Sequence, residues 1–139
     1  MRTYWDTSAA INAAISPEVF HRLKTGEHVA RLHLLAEFFA TMTGRGVEIT
    51  DDEGNTERMV FSQSECAAWL RTFSGKIKFE ELTKEEALKA LDNAQGLGVQ
   101  GARVYDYWHA LVAEKTKSDE LITRNTRHFQ DLAKNVVWP

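Results

Sequence analysis

The chain has 139 residues, 43% of them hydrophobic, with two prolines and one cysteine; this composition suits a single globular domain able to bury a core without disulfides or a structural metal. Cys66 has no cysteine partner, which excludes an internal disulfide and a cysteine-built zinc knuckle and suits a reducing compartment. A net charge of -3 argues against a protein that coats nucleic acid through overall basicity.

An apolar run begins almost at the N-terminus and stops abruptly at Asp6: Thr3, Tyr4 and Trp5 read as a strand that turns at once into a helix through Ala9, Ala10, Ile11, Ala13 and Ala14. Asp6 therefore falls at the carboxyl end of that strand, the edge where ligands bind in open α/β sheets. Ser16-Pro17-Glu18 opens a short helix with Ser16 as cap, and Gly26 ends it. A strand over 28–32 leads into a helix over 33–43 stopped by Gly44. From Gly46 to Phe61 the alternation shortens around Asp51-Asp52-Glu53-Gly54-Asn55, a β-hairpin turn whose acids lack the spacing of a calcium loop.

Helical periodicity returns over 62–72, where Cys66 reads as core, and a third strand is expected over 77–82. Thr83 and Glu86 form a capping box at the head of a helix that Gly96 and Gly98 end. A helix from Gly101 to about Lys117, a strand over 120–123, a helix capped by Asn125 through Leu132 and a last strand over 136–138 complete the order. Strands alternating with helices point to an α/β fold, a parallel sheet covered on both faces, in one domain spanning 1–139. No apolar run reaches the length of a membrane span and no basic, apolar leader opens the chain, so a soluble cytoplasmic protein with no membrane partner is expected.

Glu37 is the only ionisable side chain between Leu34 and Met42. A helix apolar nearly all round is expected to be buried, and a carboxylate in it must be paired, protonated or bound to a metal. A salt bridge to Arg31 or Arg45 is the plain alternative. Asp106 shares a helix side with Ala102, His109, Ala110 and Ala113, away from Val104, Trp108 and Leu111. An acid favoured there only by the helix dipole is its plain alternative. Three carboxylates gathered at one sheet edge raise one another's pKa unless a cation neutralises them, and hard oxygen donors suit Mg²⁺ or Mn²⁺. Such an ion makes water a nucleophile and stabilises charge growing on a phosphodiester, which is nuclease chemistry.

Four stretches now resemble one family, the PIN domains, and within it the VapC-type ribonuclease toxins of toxin–antitoxin pairs: Tyr4-Trp5-Asp6-Thr7-Ser8-Ala9; Leu35-Ala36-Glu37-Phe38-Phe39; Gly101-Ala102-Arg103-Val104-Tyr105-Asp106; and Leu121-Ile122-Thr123-Arg124-Asn125-Thr126-Arg127-His128-Phe129. The resemblance spans essentially the whole chain. It implies an α/β/α sandwich with a mostly parallel sheet of about five strands, Mg²⁺- or Mn²⁺-dependent endoribonuclease activity, a homodimer, and a cognate antitoxin whose tail occludes the acidic pocket. Asp6, Glu37 and Asp106 would bind the metal. Where the family often has a fourth acid this chain has Asn125, which implies an assisting neutral oxygen and one firmly bound ion; Asp119 is a weaker substitute.

Thr7 and Ser8 are expected to cap the first helix or to hydrogen-bond Asp6 or a metal water. Thr123 belongs to the same pocket, and Arg124 and Arg127 read equally as solvated charge or as phosphate contacts. His109 and His128 read as structural or RNA-facing rather than as general acids, since a metal supplies the nucleophile. The rival reading is a PIN-fold binding module with weak or no turnover. A phospho-acceptor signalling domain would want paired acids after the first strand, whereas Asp6 is followed by Thr7.

Overall fold

The computed structural model describes all of residues 1–139. Seven strands and seven helices follow in the order β1 (Arg2–Trp5), α1 (Thr7–Ile15), α2 (Pro17–His21), β2 (Glu27–Ala30), α3 (His33–Thr43), β3 (Val47–Thr50), β4 (Thr56–Met59), α4 (Gln63–Ser74), β5 (Lys78–Phe79), α5 (Lys84–Asn93), α6 (Arg103–Lys115), β6 (Glu120–Ile122), α7 (Thr126–Phe129) and β7 (Val136–Val137). The expected α/β class and parallel five-stranded sheet are both present. The order is β5-β2-β1-β6-β7, with every neighbouring pair parallel.

Successive side chains on a strand point to opposite faces, so the three central strands sort the core into two. Trp5, Ala30 and Ile122 pack on one face with Ala9, Ala10 and Ala13 of α1, Leu34, Phe38 and Met42 of α3 and Cys66, Leu70 and Phe73 of α4. Tyr4, Val29 and Leu121 pack on the other with Ala110, Val112 and Ala113 of α6 and Phe129 of α7. The alanines let both α1 and α6 lie close on the sheet. The result is a three-layer α/β/α sandwich, and β1, buried on both faces, is its central strand.

The caps read from the sequence hold at α2 and α5, where Ser16 accepts from the Val19 N–H and Thr83 with Glu86 forms a reciprocal capping box; Ser62 with Glu65 forms a further one at α4. Several boundaries differ. The third strand contracts to two residues and the helix after Asn125 to four, with Asn125 making no side-chain cap. The cap of α1 is Asp6 itself, whose Oδ1 accepts from the Ala9 N–H, rather than Thr7 or Ser8.

The helix around Glu37 also departs from expectation. Only Leu34, Phe38 and Met42 of α3 are buried, and Phe39 is 39% exposed. Its apolar residues exceed what one face can bury, so α3 is a surface helix with one core stripe. The β3–β4 hairpin pairs with itself and not with the central sheet. No helix is long and apolar enough to cross a membrane.

Candidate functional site

Because every strand of the sheet is parallel, the turns that follow β1, β2 and β6 rise from one edge. Asp6 follows β1 directly and its N–H still pairs with the Ile122 carbonyl, 3.3 Å, so its side chain leaves the sheet between β1 and β6. It is 6% exposed and fully engaged. Oδ1 accepts from Ser8 Oγ (2.7 Å) and Ala9 N–H (3.0 Å), and Oδ2 accepts from Thr123 Oγ1 (2.6 Å). Thr123 sits one residue past β6, is fully buried, and also accepts from the Asn125 N–H at 3.0 Å. Ser8 Oγ accepts in turn from the Arg124 N–H at 3.0 Å. These bonds stitch the β1–α1 turn to the β6–α7 turn. Burial pushes the Asp6 carboxyl above the ordinary aspartate range despite the hydrogen bonds that favour its charge.

Glu37, one turn into α3, reaches the same edge from the first face of the sheet. Its side chain is 37% exposed, and neither Arg31 nor Arg45 pairs with it; Arg31 pairs with Glu81 instead, at 2.9 Å. Oε1 of Glu37 accepts from Thr7 Oγ1 at 3.0 Å and faces Nε2 of His33 at 3.6 Å and of His109 at 3.8 Å. Burial acts to raise its pKa, but the His109 and Thr7 contacts and the charges of both imidazoles outweigh it, leaving Glu37 below its ordinary value. The expectation that all three acids rise together is therefore corrected at Glu37.

Asp106 arrives from the opposite face, in the first turn of α6, with 28% of its side chain exposed and Oδ2 3.8 Å from His128 Nδ1. Burial raises its pKa and the charge of Asp6 adds to that, whereas His128, His109 and Arg103 oppose it. His109 lies within electrostatic reach of all three acids. It is buried, and Tyr4 of the central strand contacts its Nδ1 at 2.6 Å.

The other positions named from the sequence divide cleanly. Thr7, Ser8 and Thr123 line the site. Asn125 supplies a backbone bond to it and an exposed side chain, and Arg124, Arg127 and His128 are exposed at its rim. Asp119 is a correction. It precedes β6 at the amino end, where it accepts from the Arg2 N–H at 2.7 Å, so it lies on the far edge of the sheet. Sequence reasoning set His109 aside, although its i+3 spacing from Asp106 already placed the two on one helix side; Tyr4, His33 and Arg103 were not singled out at all.

The donor set suits a hard divalent cation in kind: three carboxylates flanked by hydroxyls, with no thiolate. It suits one in charge as well, because the only basic groups in ion-pair reach of these acids are imidazoles. Convergence is what the resting site lacks. No three His, Cys, Asp or Glu side chains stand close enough together to hold an ion as they are; Asp6 is held by hydroxyls, Glu37 leans on Thr7, and Asp106 faces His128. A cavity of about 690 Å³ lies at the other end of the sheet, lined by Arg2, Glu27, Lys76, Lys78, Lys115 and Lys117 among others. The acids occupy an open edge.

No protein-family model matches the chain, and no curated protein is significantly similar to it.

Proposed function

We propose that this chain is a metal-dependent endoribonuclease of the PIN type, acting as the toxin of a toxin–antitoxin pair. The observation that supports the proposal is that carboxylates from three separate elements stand along the carboxyl edge of a parallel sheet with no guanidinium or ammonium within ion-pair distance of any of them. The four stretches that resemble the family supply this edge: the β1–α1 turn, the middle of α3, the head of α6 and the β6–α7 turn. That the four stretches fall at one end of one sheet supports the reading beyond the sequence likeness alone.

Asp6, Glu37 and Asp106 would hold Mg²⁺ or Mn²⁺, with Asn125 offering a neutral oxygen. A bound ion activates water at neutral pH and offsets charge on the phosphodiester in flight. The chain's own residues do the rest. Ser8 and Thr123 hold the Asp6 carboxylate and Thr7 that of Glu37, and Arg124 and Arg127 would steady the RNA backbone. A homodimer and an antitoxin that covers the acidic edge belong to the same proposal.

The test is cleavage of single-stranded RNA with Mn²⁺ or Mg²⁺ by the purified protein, by Asp6→Asn and by Asp106→Asn. Loss of cleavage in both variants with intact circular dichroism is expected; full activity in either would remove the mechanism. A second reading, a PIN-fold binding module without turnover, is favoured by the unconverged acids and by Asn125 in place of a fourth acid. RNA retained by the wild type with no cleavage at any Mn²⁺ concentration would select it.

A further inference from the structure

Arg31 stands one residue past β2, at the same carboxyl edge as the acids, and the mechanism above makes no use of it. Its side chain is nine-tenths buried, at 10% exposure. Nε donates to Glu81 Oε2 at 2.9 Å, and the guanidinium carbon lies 5.6 Å from the centre of the Trp108 ring. Glu81 is pinned in its turn, because Oε1 accepts from the Leu32 N–H at 3.0 Å. The guanidinium is thus held between an aromatic ring and a fixed carboxylate.

A guanidinium carries its N–H donors in a planar fork, and arginine–carboxylate pairs are frequently bidentate. Here the second oxygen of Glu81 is spent on Leu32, so a single bond joins the pair, and Nη1 and Nη2 donate to no part of the protein. Nor are they sealed in. The one fully buried side-chain nitrogen or oxygen without a partner is Nε1 of Trp108, so both Nη atoms reach solvent. A cation kept this deep on one hydrogen bond is poorly compensated for its lost hydration, and with Trp108 also lacking an acceptor, donors outnumber acceptors in this corner.

The sheet order gives the corner its place in the site. β2 and β6 flank β1, so Arg31 lies to one side of Asp6, and Arg124 and Arg127, beyond β6, lie to the other. The strands β2 and β6 are about 10 Å apart. A single strand crossing this edge would meet guanidinium, carboxylates and guanidinium in that order. Arg31 stays out of ion-pair reach of Asp6, Glu37 and Asp106, so it leaves their charge to a cation.

We propose that the Nη1–Nη2 fork of Arg31 holds a phosphate of a single-stranded RNA lying across the carboxyl edge, on the β2 side of the acids. Two phosphodiester oxygens match the guanidinium fork, a geometry that the point charge of a lysine does not reproduce. The proposal rests on the ribonuclease reading for its substrate, though not for its geometry.

The two are separated by measuring the binding of a short fluorescent oligouridylate to the metal-free protein in EDTA. Arg31→Lys and Arg31→Gln should each weaken it by about tenfold. The slope of log affinity against log salt should fall by about 0.7 in Arg31→Gln and hold in Arg31→Lys. The same oligomer with uncharged methylphosphonate linkages should bind the wild type and Arg31→Gln alike. In ¹H–¹⁵N spectra of the wild type the Arg31 Nη signals should shift when the oligouridylate is added, a response that an ion pair serving only the fold does not give. In Mn²⁺-dependent cleavage both variants should raise KM by a factor similar to the loss of affinity and leave kcat nearly unchanged.

Equal affinity and slope in folded Arg31→Gln overturn the proposal. Wild-type Nη signals that the oligouridylate leaves in place overturn it too, whether or not the variants fold. Signals that move with inorganic phosphate and not with RNA do the same, since the fork would then serve a small anion. The expected binding and shifts with no cleavage at any Mn²⁺ concentration would uphold the fork and overturn the nuclease reading. Cleavage with an unchanged KM in Arg31→Gln would do the reverse.

Discussion

The two edges of the central sheet use their charged side chains in different ways. At the amino edge the acids are matched: Arg2 pairs with Glu27 at 2.8 Å and donates its backbone N–H to Asp119, and Arg22 pairs with buried Glu120, which also accepts from Thr3 Oγ1 at 2.8 Å. At the carboxyl edge Arg31 and Glu81 pair off to one side, but Asp6, Glu37 and Asp106 have only imidazoles near them. A matched charge offsets its own desolvation and serves the fold. Asp6 and Asp106, with pKa values raised by burial, are carboxylates whose charge the fold itself does not favour, which is the pattern expected of a binding site. The cavity of about 690 Å³ lies at the amino edge, so volume and unpaired carboxylates point to different ends of the molecule. Unbalanced charge is the better guide to chemistry here, because the lysines at the cavity include Lys78 and Lys115, already paired with Glu80 and Glu86.

The largest effects should come from the unmatched edge in activity assays. Asp6→Asn and Asp106→Asn should each lower RNA cleavage by on the order of a thousandfold, beyond the loss typical of groups behind the ligands. Retained cleavage would mean that the unmatched acids are not the reacting centre.

The matched edge should answer in stability instead. Arg22→Ala leaves Glu120 buried and short of its main partner, and urea denaturation should record a loss of about 3 kcal/mol, with Mn²⁺ affinity unchanged. A loss of affinity in this variant would break the division between the edges.

A smaller and more diagnostic effect concerns the sign at Asp6. Its folded pKa lies above the ordinary value of 3.8, so the folded state holds that proton more tightly than the unfolded chain does. Ionisation therefore costs stability, a cost absent below pH 3.8 and complete above the folded pKa. The difference in metal-free melting temperature between Asp6→Asn and the wild type should therefore change with pH, moving against the variant as pH falls into the acid range. Mn²⁺ should raise the melting temperature of the wild type and not of the variant.

At the amino edge His28 carries the opposite sign. It accepts from Trp5 Nε1 at 3.1 Å, and burial holds its pKa below the ordinary 6.5. Its contribution to stability is present above pH 6.5 and is lost as pH falls from there toward the folded pKa. Melting curves of the wild type and His28→Gln should diverge above pH 6.5 and approach each other below it. Smallest of all, Arg124→Ala with Arg127→Ala should raise KM a few-fold and flatten its salt dependence, leaving kcat nearly unchanged.

Much of the local architecture was legible because it is written in short-range signals. Ser62 with Glu65 and Thr83 with Glu86 satisfy orphan helix N–H groups across three residues, and α3 begins and ends where its pattern and Gly44 predict. Short signals also mislead. Ile77 to Leu82 has strand composition, yet only Lys78 and Phe79 find a partner in β2, because a strand's length is set by the neighbour it pairs with. Glu37 looked buried because its neighbours are apolar, whereas a helix on one face of a sheet covers only one stripe of itself.

The sequence by itself determined the order of strands and helices, the placement of Asp6 at a strand end and the alanine faces that let α1 and α6 approach the sheet, since each depends on residues a few positions apart. Tertiary structure alone decided that Thr123 would hold Asp6 across 117 positions, that Arg22 would find Glu120, that Asp119 would fall on the far edge, and that His109 would stand between Tyr4 and Glu37. Parallel pairing is the physical reason. It sends every strand end to one side, and register then decides which distant side chains become neighbours.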